Sequence, residues 1–108
     1  MTRLSDSEID DALGQLSDWQ RSGDALERTI RFPAFMDGIR FVERVAEIAE
    51  AADHHPDIDI RYRNVRFGLS THDVGGLTEK DIALAHAINR ALRDGPAGNR
   101  AAGAQSPK

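Results

Sequence analysis

The hydrophobic period of this chain changes abruptly around Pro56, and no other feature narrows the available folds as much. Upstream, Phe35, Ile39, Val42, Val45, Ala49 and Ala52 recur at three- and four-residue spacing, the period of a helix with one buried face. Downstream, Ile58, Ile60 and Tyr62 alternate with Asp59 and Arg61, and Val65, Phe67 and Leu69 alternate with Arg66, Gly68 and Ser70, the period of strands. Pro56 cannot continue a helix and biases His55 away from helical angles. A helix over 35–52 followed at once by two strands is therefore predicted. Strands with one apolar and one polar face belong to an antiparallel sheet covered on one side only. Arg63-Asn64 is short enough for a two-residue turn, and Asn tolerates the left-handed angles such turns need. A register built on that turn sets Tyr62 opposite Val65, Ile60 opposite Phe67 and Ile58 opposite Leu69. Every apolar residue then meets another. Continued outward, this register brings His55 opposite His72.

The flanking segments complete the plan. Ser5 and Glu8 form a capping box, Leu4 and Ile9 the hydrophobic staple around it, and Ile9, Ala12, Leu13 and Leu16 share a helical face. Trp19 to Phe32 reads as a hairpin turning at Ser22-Gly23-Asp24; Leu26, Ile30 and Phe32 fit the alternation, Arg28 interrupts it and Pro33 closes it. A third helix starts at the N-cap Thr78, buries Ile82, Ala85, Ile88 and Leu92, and ends at Gly95-Pro96. The order is αββαββα. An α+β fold is expected, a four-stranded antiparallel sheet with three helices packed on one face. The 108 residues fit one domain, 1–94, and the aperiodic small and polar residues 95–108 read as a disordered tail.

Composition excludes several functions. There is no cysteine, hence no disulfide, thiol nucleophile or zinc–thiolate site. A formal net charge of −4 argues against nucleic acid as the main partner. Arg61, Arg63 and Arg66 read as a solvated strand face rather than an anion-attracting rim. The polar start MTRLSDSEIDD lacks the apolar core of a signal peptide, and no apolar run reaches the length of a membrane span. A soluble, cytoplasmic protein without a membrane partner is expected.

The residues able to do chemistry concentrate between Glu50 and Asp81. Glu50 precedes His54 by four residues, so the two share a helix face if the last turn persists. Asp81 lies in the first turn of the third helix, reached from His72 through a glycine-bearing loop. Imidazoles exchange protons near neutral pH, a carboxylate beside one fixes its tautomer, and two histidines in different surroundings can act as acid and base in one reaction. Each residue also has a plain structural role open to it. A lone histidine is more often a surface or capping residue, Glu50 can be a solvated helix residue, and Asp81 can simply complete the cap begun at Thr78. Trp19 and Tyr62 fit core or interface positions, and His86, inside the third helix, reads as structural. Three histidines and a carboxylate would suit zinc or iron. A metal is disfavoured because the adjacent His54 and His55 point in different directions and no H-x-x-x-H spacing is present.

Glu50, three intervening residues, then His54-His55-Pro56, followed by Tyr62, His72 and Asp81, resembles the active-site signature of the pterin-4a-carbinolamine dehydratases. The string Ser70-Thr71-His72-Asp73-Val74-Gly75-Gly76-Leu77-Thr78-Glu79-Lys80-Asp81 is similar to family members around the later histidine, and the likeness runs from about Leu4 to Leu92. It departs at Ile58, where many relatives carry Trp, which removes any aromatic contribution there. The resemblance implies dehydration of 4a-hydroxytetrahydropterin to quinonoid dihydropterin, without metal or cofactor, in tetrahydropterin recycling. His54, His55, His72, Asp81 and Glu50 would be the catalytic set, with His54 and His72 transferring protons and His55 mainly orienting. The pterin would meet His54, His55, Pro56 and the segment Ser70, Thr71, His72, Asp73 and Val74. A homodimer or homotetramer is implied as well. Two other readings stay open: a dimerisation or assembly factor that retains the fold, and an enzyme acting on another pterin, such as one of molybdopterin metabolism.

Overall fold

The structure, a computed structural model, describes residues 2–95; of the predicted tail only Gly95 falls within them, so the expected disorder lies outside the described residues. The elements follow the expected order: α1 (Asp6–Leu13), β1 (Gln20–Ser22), β2 (Ala25–Arg31), α2 (Phe35–Ala52), β3 (Asp57–Arg61), β4 (Asn64–Leu69) and α3 (Glu79–Asp94), with a one-turn 3-10 helix at His72–Val74. The four strands form one antiparallel sheet in the order β1-β2-β4-β3, which leaves β1 and β3 at its edges. Leu26 and Ile30 of β2 pair with Leu69 and Val65 of β4 and bury the same sheet face as Phe67. Ile9 of α1, Phe41 and Val45 of α2, and Leu84, Ala85 and Ile88 of α3 fill the same cluster, so all three helices lie on that face. Both caps expected at Ser5 and Thr78 are formed, each as a capping box, with Glu8 and Asp81 respectively. No helix among the described residues is long and apolar enough to cross a membrane.

Three details depart from the sequence reading. The first is the register. Arg61 pairs with Asn64, Ile60 with Val65 and Ile58 with Phe67, so Tyr62-Arg63 forms the turn and the strands are shifted by two residues. A two-residue slip keeps every side chain on its original face, so hydrophobic alternation cannot detect it. Contacts outside the hairpin select the observed turn. Tyr62, at a left-handed φ of 54°, stacks on Phe35 at 6.4 Å between ring centroids. Arg63 accepts from the Phe32 N–H at 2.8 Å and donates to the Pro33 carbonyl at 3.2 Å.

The second is the face that α2 buries: Gly38, Phe41, Val45 and Ala49, while Phe35 is 43% exposed and Ala52 is exposed too. At Gly38 an added Cβ would stand 3.2 Å from Phe32 and 3.3 Å from Val65, so the helix rests close on the sheet through a position with no side chain to register in a hydrophobic pattern.

The third is Arg28, which does not interrupt the alternation. It faces the core side opposite Phe67, and its guanidinium reaches the rim, 2.6 Å from Asn89 Oδ1 and 3.6 Å from Asp18. Trp19 Nε1 donates to the same Asn89 oxygen at 2.9 Å. Asn89→Ala leaves two largely buried donors without an acceptor and is expected to lower unfolding free energy by about 1–3 kcal/mol. Urea unfolding of the variant beside the native chain measures this.

Candidate functional site

Helix α2 stops at Ala52 because Asp53 takes left-handed angles (φ 51°, ψ 43°), a conformation aspartate tolerates better than most residues. The chain reverses there, and the His54 N–H still reaches the Ala49 carbonyl at 3.1 Å. Two adjacent histidines thus leave a helix end, not a helix, and they find different partners. His54 is largely buried, with Nε2 2.6 Å from Asp81 Oδ1 across the helix layer. His55 is exposed, with Nε2 2.5 Å from Glu50 Oε1 one helical turn back. The pairing is the reverse of the one drawn from i,i+4 spacing, which linked Glu50 to His54. Reversal at Asp53 takes His54 off the helix face that it would otherwise share with Glu50.

Asp81 has no exposed surface. Its Oδ2 accepts the Thr71 hydroxyl at 2.8 Å and the Thr78 N–H at 3.0 Å, and its Oδ1 faces His54. Thr71 and Thr78 hydroxyls also bond each other at 2.9 Å, and Thr78 accepts from the Lys80 N–H at 3.2 Å. The loop between them closes on itself. The Thr71 N–H donates to the Gly76 carbonyl at 2.8 Å, and the turn beginning at His72 ends at Gly75 with φ 62°. The N-terminal segment straps this loop from outside. Leu4 donates to the Leu77 carbonyl at 2.7 Å, and the Arg3 stem lies over Gly76, where a Cβ would come within 2.4 Å of it.

The residues singled out from the sequence therefore gather as two pairs, His54–Asp81 and His55–Glu50, with Thr71 joined to the first. His72 follows Thr71 directly, which keeps it at this end of the sheet. It is exposed, and its side chain makes no hydrogen bond among the described residues. It does not face His55: continued two steps past the Asp57–Gly68 pair, the observed register sets Ser70 opposite His55. Pro56, Ser70 and Val74 are half-buried and Asp73 is exposed. The Thr71 N–H and carbonyl are consumed within the loop, whereas the first two N–H groups of the 3-10 turn, those of His72 and Asp73, have no partner there. His86 is half-buried in α3 and makes no side-chain hydrogen bond among the described residues.

The hydroxyl network is what sequence reasoning missed. A signal existed: the alternation Val65, Phe67, Leu69 continued to 71 puts a threonine on the core face, where a buried hydroxyl needs a partner. Among the described residues no three His, Asp or Glu side chains converge as a metal-ligand set. A cavity of about 250 Å³ lies beside the start of α1, lined by Arg3, Ser5, Asp6, Arg21, Asp24 and Gly76 among others, and no histidine lines it. Chemically, the histidine end of the sheet offers one imidazole fixed by a buried carboxylate, one tethered at the surface and one free.

Comparison with known proteins identifies relatives of the chain as a whole. The family model described as pterin 4 alpha carbinolamine dehydratase matches residues 2–91. A Mycolicibacterium smegmatis protein provisionally named pterin-4-alpha-carbinolamine dehydratase is 55% identical over 94 residues, 87% of this chain and all of that protein. A Mycobacterium tuberculosis protein of the same provisional name is 58% identical over 89 residues, 82% of this chain and 95% of that one. Among solved structures, a transcriptional coactivator/pterin dehydratase from Brucella melitensis superposes with a TM-score of 0.80 at 36% identity, covering 82% of this chain and 97% of that one. A pterin dehydratase-like protein identified as a RuBisCO assembly factor in the alpha-carboxysome shares the fold at a TM-score of 0.56 and 19% identity, covering 67% and 83%.

The two carboxylates are expected to differ sharply on removal. Asp81→Ala strands a hydroxyl, a backbone N–H and an imidazole in a buried site and should cost at least about 1–3 kcal/mol of stability. Glu50→Ala, at the surface, should stay within about 0.5 kcal/mol. Denaturant midpoints of the two variants compare them directly.

Proposed function

The chain belongs to the pterin 4 alpha carbinolamine dehydratase family, and from that premise we propose that it dehydrates a 4a-hydroxytetrahydropterin to the quinonoid dihydropterin and water. The observation that supports this most is the His54–Asp81 pair: a largely buried imidazole held by a carboxylate with no exposed surface, with His55 next in the chain and His72 following Thr71, which bonds the same carboxylate. The reaction is redox-neutral. A proton is delivered to the C4a hydroxyl as the C–O bond breaks, the N5 proton is removed, and its electron pair forms the C4a=N5 double bond. One acid and one base are needed, and histidine can be either near neutral pH.

His54 takes the N5 proton in this proposal, and His72 serves the departing hydroxyl. His55, tethered to Glu50, orients the ring, with Pro56 beside it. The pterin edge meets the segment Ser70–Val74, for which the unpartnered N–H groups of His72 and Asp73 are suitable donors. The reaction returns a pterin cofactor to use after aromatic hydroxylation, in the cytoplasm. Self-association belongs to the same proposal: edge strand β3 has one free hydrogen-bonding side, and Ile60, Tyr62, Phe35 and Met36 are exposed apolar residues around its turn. A scaffold-only role is less well supported, because it does not require this buried pair; an enzyme acting on a different pterin would use the same pair.

Positioned acid–base groups contribute roughly 10²–10⁴-fold. In a rapid-mixing assay of carbinolamine breakdown, His54→Ala and His72→Ala should each lose most of the acceleration over the spontaneous reaction, and His55→Ala should raise KM more than it lowers kcat. Native protein that leaves the spontaneous rate unchanged rules out the activity; unchanged rates in both of the first two variants rule out the assigned roles. Sedimentation velocity should show an oligomer that Ile60→Lys shifts toward monomer.

A further inference from the structure

Thr71 is buried beside Asp81, and its side chain, unlike that of neighbouring His72, turns away from solvent. It is 7% exposed, sits one residue before His72, and spends its hydroxyl entirely on Asp81 and Thr78. A hydroxyl carries a single hydrogen. With that hydrogen donated to Asp81 Oδ2, the Thr71–Thr78 bond must run from the Thr78 hydroxyl to Thr71 oxygen. Thr78 oxygen in turn accepts from the Lys80 N–H. The result is a chain of one polarity: Lys80 N–H to Thr78, Thr78 to Thr71, Thr71 to Asp81.

The end of this chain settles what His54 can do. Thr71 and the Thr78 N–H together occupy Oδ2, so the oxygen left to the imidazole is Oδ1, 2.6 Å from Nε2. A carboxylate oxygen only accepts, so the ring nitrogen facing it carries the hydrogen. His54 Nδ1 is then the nitrogen with a lone pair. It has no hydrogen-bond partner among the described residues, and it is not among the side-chain atoms sealed from solvent without one.

We propose that Thr71 is a positioning residue for the dehydration: acting through Asp81, it locks His54 in the Nε2–H tautomer and so presents Nδ1 as the base toward the pterin. The inference rests on the dehydratase function for its catalytic meaning, but the tautomer exists without substrate. Removing the hydroxyl frees Oδ2 on one side, lets the Asp81 carboxylate rotate and relaxes the choice of tautomer. Substrate contacts stay in place, so the loss falls on turnover and not on binding.

The test joins two readouts on the native protein and on Thr71→Val and Thr71→Ser. Nitrogen-15 NMR of the His54 ring in mildly alkaline buffer should show a protonated Nε2 and a bare Nδ1 in the native chain and in Thr71→Ser, and a mixture in Thr71→Val. In the carbinolamine assay, Thr71→Val should lower kcat about tenfold, roughly the loss of one orienting hydrogen bond, with KM within about twofold. Thr71→Ser, which keeps the donor, should restore most of it. A native ring protonated on Nδ1 overturns the proposal whether or not either variant folds. So does a Thr71→Val protein with native tautomer and native kcat, or a Thr71→Ser protein as impaired as Thr71→Val. If the native chain does not accelerate carbinolamine breakdown but the NMR behaves as stated, the dehydratase function fails and the Thr71–Asp81–His54 lock stands.

Discussion

A carboxylate without exposed surface must be surrounded by donors, and Asp81 is met by three from three separate parts of the chain. Thr78 belongs to the cap of its own helix, Thr71 to the end of β4, and His54 to the segment between α2 and β3. The Thr78 N–H is local to the cap, but Thr71 and His54 reach Asp81 only because α3 returns over the end of the sheet that α2 has already crossed. The same atom group therefore closes a helix cap, ties the last helix to the sheet and fixes an imidazole. The capping role and the site role, which from the sequence competed as explanations of Asp81, are one arrangement: Oδ2 serves the cap and the hydroxyl, and Oδ1 remains for His54.

The other histidine pair follows a different logic. His55 and Glu50 meet at the surface, where solvent weakens an ion pair and the partners can separate without stranding a buried group. Such a pair suits a residue that must adjust to a ligand, while the buried His54–Asp81 pair suits one that must not move. Two adjacent residues in sequence acquire these opposite properties because Asp53 turns the chain by left-handed angles just before them. The family to which the chain belongs supplies the chemistry that this division fits, a loss of water in which one proton is removed and another supplied.

Much of this was legible in the sequence, and the parts that were not have identifiable causes. Element order, both caps and the concentration of titratable residues between Glu50 and Asp81 follow from period, capping boxes and Pro56, all local signals. The hairpin register did not follow, because a slip of two residues preserves every face and is decided by Phe35 and Phe32 packing against the turn. The pairing of Glu50 was misjudged because one residue, Asp53, ends the helix before the face it shared with His54 is complete. Gly38 was invisible to a pattern of apolar side chains although it sets how closely α2 approaches the sheet. Thr71 was assigned to the pterin-contacting segment, whereas its hydroxyl is spent on Asp81 and Thr78. The register and Gly38 depend on contacts between elements far apart in sequence, whereas the Glu50 pairing turns on the backbone angles of one neighbouring residue.

Titration of the isotope-labelled protein with a dihydropterin, followed on the amide and imidazole resonances, tests the central claim most directly. If His54, His55 and His72 form one pterin site at the open end of the sheet, the shifts concentrate on those three rings and on the amides of Ser70–Val74, and saturate together. Shifts that spare the three rings, or that centre on the cavity lined by Arg3 and Arg21 beside α1, contradict it.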